Sequence, residues 1–119
     1  MSRTQPTSQF HNQTSVLPER LATTRGETCL IDVRKPMARA ASDVQIPGSV
    51  WRHPFAAADW AEDYKGRAVM IYCVHGHEVS QAVRGYLTDC GVEAALIAGG
   101  IEAWIAAGLP VEALEANNG

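Results

Sequence analysis

Two stretches of the chain are apolar at odd and even positions alike: TCLIDV from Thr28 to Val33 and AVMIYCV from Ala68 to Val74. A strand with one wet face would alternate, so both read as strands covered on both faces, as in a parallel sheet. EAALI, Glu93 to Ile97, reads the same way. A brief strand from Ser49 to Trp51 follows a turn at Pro47-Gly48. Helical patterns lie between these runs. Val79, Val83, Tyr86, Leu87 and Cys90 fall on one helix face, predicting a helix from about Val79 to Cys90 closed by Gly91. GGIEAWIAAG predicts a helix between Gly99-Gly100 and Gly108. PFAAADWAEDY predicts one opening on Pro54, and KPMARAASD a shorter one. SVLPERLATTRG predicts an extended entry, then a helix with Pro18 in its first turn and Gly26 past its end. Strands alternating with helices in units this short predict a three-layer α/β domain. Its central sheet is expected to be mainly parallel, with about five strands flanked by helices.

The polar N-terminal stretch 1–14 carries no apolar pattern and is expected to be a flexible tail. The domain is placed at 15–113, with a short C-terminal tail at 114–119. The length, 119 residues, suits one core. A net charge of −3 and scattered Lys and Arg residues argue against a nucleic-acid partner or a membrane surface. No apolar run approaches the roughly 20 residues that cross a bilayer. The N-terminus lacks a signal-type apolar region, so the expected compartment is cytoplasmic. Three widely spaced cysteines do not form a disulfide framework and read as reduced thiols.

The chemistry concentrates in IYCVHGHEVSQA, Ile71 to Ala82, where a buried strand passes into a helix. In parallel α/β sheets, ligands bind at the carboxyl ends of the strands. Cys73 sits near such an end. Gly76 lets the backbone curl, and the helix that follows points its N-terminus at the loop. Unpaired N–H groups and the helix dipole favour negative charge there, which is the setting of a reactive thiol. The same N–H groups would hold a bound oxyanion or the outer sulfur of a persulfide. Other readings of the stretch stand beside this one. Cys73 can be a buried small residue. Cys73, His75 and His77 are all metal-ligand types, but no fourth ligand lies close in sequence and structural zinc wants four; no metal is expected. The histidines can be solvated loop residues. Cys29 and Cys90 fall on apolar faces and are expected to be inert. Trp60 and Trp104 read as packing residues, as does Trp51, which could also line a pocket.

LIDVR (Leu30–Arg34), IPGSVW (Ile46–Trp51), IYCVHGHEVS (Ile71–Ser80) and AGGIEAW (Ala98–Trp104), in this order and spacing, resemble a rhodanese-like domain. The resemblance implies a single-domain sulfurtransferase with no cofactor. Its cysteine would take a sulfane sulfur from a donor such as thiosulfate and pass it to cyanide or a thiol, with glutathione or thioredoxin as candidate acceptors. Cys73 matches the catalytic cysteine. Val74, His75, Gly76, His77, Glu78 and Val79 match the substrate-binding loop, and Ser80 the hydroxyl residue opening the helix. Asp32 and Arg34 match the bracing pair of the DVR motif, and Gly99-Gly100 the turn before the last helix. A salt bridge at the sheet edge is the plainer reading of Asp32 and Arg34.

The loop departs from the family. Its common form is Cys-x-x-Gly-x-Arg, but Glu78 stands at the arginine position. Aligned on Ser80, the loop is one residue longer, as in related phosphatases and arsenate reductases with Cys-x5-Arg. There the arginine position falls on Val79. A bidentate guanidinium is a strong oxyanion ligand, so its absence argues against those two activities. His75 and the loop amides are expected to bind the donor anion, with Arg52, after the IPGSVW strand, as a secondary contact; the plainer reading of Arg52 is a solvated surface arginine. Glu78 would oppose anionic donors. The alternative function is a non-catalytic or redox- or oxyanion-sensing module of the same fold.

Overall fold

The computed structural model describes residues 15–18, 29–76 and 78–114. The expected N-terminal tail, most of the helix expected after Pro18, His77 and residues 115–119 lie outside these. The elements run β1 (Ser15–Val16), β2 (Cys29–Asp32), α1 (Pro36–Ala40), β3 (Val44–Gln45), β4 (Val50–Trp51), α2 (Ala57–Trp60), β5 (Ala68–Tyr72), α3 (Glu78–Asp89), β6 (Glu93–Ile97), α4 (Gly100–Ala106) and β7 (Glu112–Ala113).

Five strands form one sheet in the order β1-β6-β5-β2-β4, and every neighbouring pair is parallel. The doubly apolar runs are explained by what covers them. Ile31, Val69, Ile71, Ala94 and Leu96 face one core with Trp60, Tyr64, Val83 and Leu87. Leu30, Met70, Tyr72, Ala95 and Ile97 face the other with Ile46, Ile101 and Trp104. Successive strand residues point to opposite faces, so each parity needs its own helix layer. This is the three-layer α/β arrangement the sequence predicts.

Several boundaries move. The central strands are shorter than their apolar runs, and Cys73 falls one residue beyond β5. The helix expected from Pro54 is broken into a 3-10 turn (Pro54–Ala56), α2 and a second 3-10 turn (Ala61–Tyr64). Ala56 and Trp60, with φ near −120°, interrupt the α ladder. The Trp60 indole N–H donates back to the His53 carbonyl at 3.0 Å, which ties the segment into a tight coil. Tyr86, assigned to the buried face of α3, is instead 42 % exposed; Val83 and Leu87 carry that face. Cys29 and Cys90 pack against the core edge as free thiols. An unforeseen two-stranded ribbon, β3 with β7, closes one side of the sheet.

Tyr72 joins this core to the IPGS turn. Its hydroxyl accepts from the buried Ile46 N–H at 3.2 Å and lies 2.8 Å from Ser49 Oγ. Burial, with the Asp32 charge next in size, pushes its phenol up to about 12. The folded form thus resists phenol ionisation. Its contribution is full below pH ~10, the unfolded value, and is lost as pH rises through about 12. Tyr72→Phe leaves the Ile46 N–H without its acceptor and should cost about 1–3 kcal/mol in urea unfolding at pH 7. The gap between Tyr72→Phe and wild type should narrow as pH rises from ~10 towards 12. A gap that stays constant up to pH ~12 would show that folding does not shift the phenol, and no gap at pH 7 would show that the hydroxyl contributes nothing.

Candidate active site

Cys73 stands at the carboxyl edge of the sheet, 7 % exposed. Its position follows from three sets of contacts. The first is with α4. Ile101 N–H donates to the Cys73 carbonyl at 3.0 Å, and Glu102 N–H to the Val74 carbonyl at 3.1 Å. The loop thereby satisfies donors that every helix N-terminus leaves over. In a trans peptide the next N–H points opposite to the carbonyl, and no peptide among the described residues is cis. The Val74 and His75 N–H groups therefore turn away from α4.

This approach needs the paired glycines. A Cβ on Gly100 would fall on the Val74 carbonyl oxygen and within 2.5 Å of the Cys73 carbonyl oxygen. One on Gly99 would meet the Ala103 side chain at 2.5 Å. Gly76 comes down on the same turn, its Cβ position 3.0 Å from Gly99 N.

The second set surrounds the sulfur. Gly76 N–H donates to Sγ at 3.2 Å, and the thiol donates to Ser80 Oγ at 3.1 Å. Ser80 is fully buried in the first turn of α3, so the sulfur faces the positive end of that helix dipole. A hydroxyl both donates and accepts, so Ser80 can serve a thiol and an anionic sulfur alike.

The third set is the brace beneath. Arg34 Nε and Nη2 grip Asp32 at 3.0 and 2.8 Å, and Nη2 also donates to the Val44 carbonyl at 3.1 Å. Arg39 Nε adds a second cation to Asp32 at 3.1 Å. The Trp51 indole donates to the Arg34 carbonyl at 2.9 Å. Asp32 and Arg34 are buried to within 1 % of full. The edge salt bridge of the plainer reading is thus replaced by a closed internal network, because the α1 turn and the β3–β7 ribbon cover it.

A cleft of about 420 Å³ opens over the sulfur, lined by Arg34, Lys35, Ala38, Cys73, Val74, His75, Glu78 and Val79. Five of the expected site residues, Cys73, Val74, His75, Glu78 and Val79, thus meet in one place. Gly76 and Ser80 touch the sulfur from outside that lining. Arg52, expected as a secondary contact, does not line the cleft. Its backbone N–H donates to the Asp32 carbonyl at 2.9 Å, and its Nε is buried without a partner among the described residues. It follows β4, which β2 separates from β5 and Cys73. Lys35, the cation that does reach the cleft, was missed. The available signal was a lysine at a helix N-cap, where Ser, Thr, Asp or Asn is favoured and a positive charge opposes the dipole. As to a metal, no group of three or more His, Cys, Asp or Glu converges among the described residues.

A family model for the rhodanese-like domain matches residues 16–107. Among solved structures, a rhodanese-related protein from Thermoplasma volcanium is 24 % identical, covers 82 % of this chain and 95 % of its own, and superposes with a TM-score of 0.71. A thiosulfate sulfurtransferase from Pseudomonas aeruginosa is also 24 % identical with a TM-score of 0.71; the match takes in 98 % of this chain but 22 % of that one. A protein from Rhodopseudomonas palustris, described as of unknown function and a possible tyrosine phosphatase, is 21 % identical over 94 % of this chain and 99 % of its own, with a TM-score of 0.73. These likenesses establish the fold.

The glycine contact predicts a contrast. Gly66 and Gly100 both have positive φ, but a Cβ on Gly66 meets nothing within 4 Å. Gly66→Ala should cost about 1–2 kcal/mol from backbone strain alone. Gly100→Ala adds the collision with the loop and should cost more than that in chemical unfolding. It should also slow the reaction of Cys73 with iodoacetamide or speed it, because the loop must shift. Equal costs and unchanged thiol reactivity would sink the close-approach argument.

Proposed function

The chain belongs to the rhodanese-like domain family, and on that premise we propose that it is a sulfurtransferase carrying a sulfane sulfur as a Cys73 persulfide. The observation that carries the reading is the setting of one sulfur. It is held at a strand end by the Gly76 N–H and Ser80 Oγ, at the base of a cleft open to small molecules.

The reaction this arrangement suits runs in two displacements. The Cys73 thiolate attacks the outer sulfur of a donor. That sulfur's bond to the rest of the donor breaks, and the electron pair leaves with the remainder, sulfite where the donor is thiosulfate. The persulfide anion gains the hydrogen-bond donors around the loop, which are already oriented and cost no reorganisation. A thiolate or cyanide then attacks the outer sulfur. The S–S bond breaks, its electron pair returns to Cys73, and the acceptor departs as a persulfide or thiocyanate. No oxidant is consumed. Cys29 and Cys90 lie at the core edge on other elements, so a thiol or cyanide from solution is the acceptor.

The cleft favours this over phosphoryl or arsenate chemistry. Among the described residues that line it, the one guanidinium, Arg34, is already committed to Asp32 and the Val44 carbonyl. A dianionic oxyanion would lack the bidentate partner that gives such sites their strength.

Incubating the reduced protein with inorganic polysulfide, and separately with thiosulfate, should add one sulfur atom to the intact mass. The gain should vanish in Cys73→Ser. Ser80→Ala should form the adduct roughly tenfold more slowly, the worth of about one hydrogen bond to a charged group. Absence of any sulfur adduct with every donor would overturn the proposal, and phosphate release from an aryl phosphate would replace it with the phosphatase reading.

A further inference from the structure

Among the described residues, the cleft over Cys73 is lined by one lysine and one glutamate in addition to Arg34 and His75. Lys35 enters from the β2–α1 connection and Glu78 from the first turn of α3. Both are exposed. Among the described residues, neither side chain makes an ion pair or a hydrogen bond. The Arg34 guanidinium is bound to Asp32 and the Val44 carbonyl beneath the floor, and Arg39 shares the same carboxylate. The remaining lining includes the apolar Ala38, Val74 and Val79.

A dianion such as thiosulfate would meet Lys35 and be repelled by Glu78. A neutral ligand would use neither. A ligand that uses both carries a carboxylate and an ammonium group beside its sulfur. Local structure does not explain the pair. Glu78 complements the α3 dipole, but Lys35 opposes that of α1 and caps nothing.

We propose that the small molecule exchanging sulfur with Cys73 is a zwitterionic thiol of amino-acid type, its carboxylate at Lys35 and its ammonium at Glu78. This rests on the sulfurtransferase reading and specifies its substrate class. In the transfer, the thiolate of this molecule attacks the outer sulfur of the Cys73 persulfide. A new S–S bond forms on the acceptor, the old one breaks, and Cys73 leaves as thiolate. Run in reverse, the same step loads the protein from an amino-acid persulfide.

The test loads the full-length protein with inorganic polysulfide, verifies one added sulfur by mass, and follows its discharge by four thiols. These are cysteine (zwitterion), 3-mercaptopropionate (anion), cysteamine (cation) and 2-mercaptoethanol (neutral), compared at equal thiolate concentration. Exposed charge pairs are individually weak, so cysteine should exceed each of the others by several-fold rather than by orders of magnitude. Lys35→Gln should lower the ratio of cysteine to cysteamine, because only cysteine has the carboxylate. Glu78→Gln should lower the ratio of cysteine to 3-mercaptopropionate. Ratios are read because they cancel any general loss in a variant. Equal rates for cysteine and 3-mercaptopropionate, or ratios unmoved by either substitution, would overturn the zwitterion while leaving the sulfurtransferase standing. A protein that never loads sulfur on Cys73 would overturn both.

Discussion

The site depends on two carbonyl groups and the helix that receives them. Cys73 C=O and Val74 C=O are bound by the first free N–H groups of α4. A loop leaving a buried strand must place its backbone polar groups somewhere, since unpaired ones are costly away from water. Here the carbonyls go to α4, and the opposed N–H groups are turned the other way. The bond from Gly76 N–H to Sγ completes the curl. The orientation of the loop's N–H groups thus arises from peptide geometry. Gly100 is required because α4 must approach to hydrogen-bond distance and any Cβ there would occupy the space of the carbonyls, whereas Gly99 is set by its positive φ and by the Ala103 side chain.

The second constraint is the Asp32–Arg34–Arg39 network under the loop. Buried ion pairs often add little net stability, because desolvation offsets attraction. Their geometric demands are nevertheless strict. Arg34 spans Asp32 and the Val44 carbonyl, so one side chain ties β2 to the β3–β7 ribbon. Its planar fork suits that role as a lysine would not. The consequence for chemistry is that the guanidinium nearest the sulfur is unavailable to substrate. Losing a bidentate, charge-assisted contact is worth about 3 kcal/mol, or roughly a hundredfold in affinity. That magnitude separates this cleft from one built around an oxyanion.

Much of this was legible from residue order. Runs apolar at both parities announced strands between two layers, and the periodicity of α3 announced its core face through Val83 and Leu87. The strand–Cys–Gly–helix junction pointed to Cys73. What was not legible has physical reasons. β3 and β7 are two residues each, too short for any periodicity, and they pair across 67 positions of sequence, Gln45 with Glu112. Tyr86 lies at the margin of the helix stripe, where sequence alone does not separate half-covered from covered. Asp32 and Arg34 look like edge residues until the ribbon covers them. Arg52 and Lys35 were exchanged because each follows a strand at the same sheet edge. Only the strand order, with β2 between β4 and β5, brings Lys35 nearer the sulfur.

The charge balance of the cleft follows from the same geometry. Neutral amides and a hydroxyl stabilise a singly charged sulfur adequately, since that charge is small and covalently placed. They do not supply the attraction that draws a dianion out of water. Without a free guanidinium, recognition falls to whatever charges border the opening, and here they are of opposite sign. Covalent capture also relaxes the need for tight binding. In the proposed reaction, once sulfur had passed to Cys73 the carrier fragment would have only to leave, and a weakly held fragment leaves quickly. In the proposed transfer, holding the atom would fall to the loop and choosing its carrier to the rim. On that proposal, substitutions at the rim would change the substrate without disturbing the loop around Cys73.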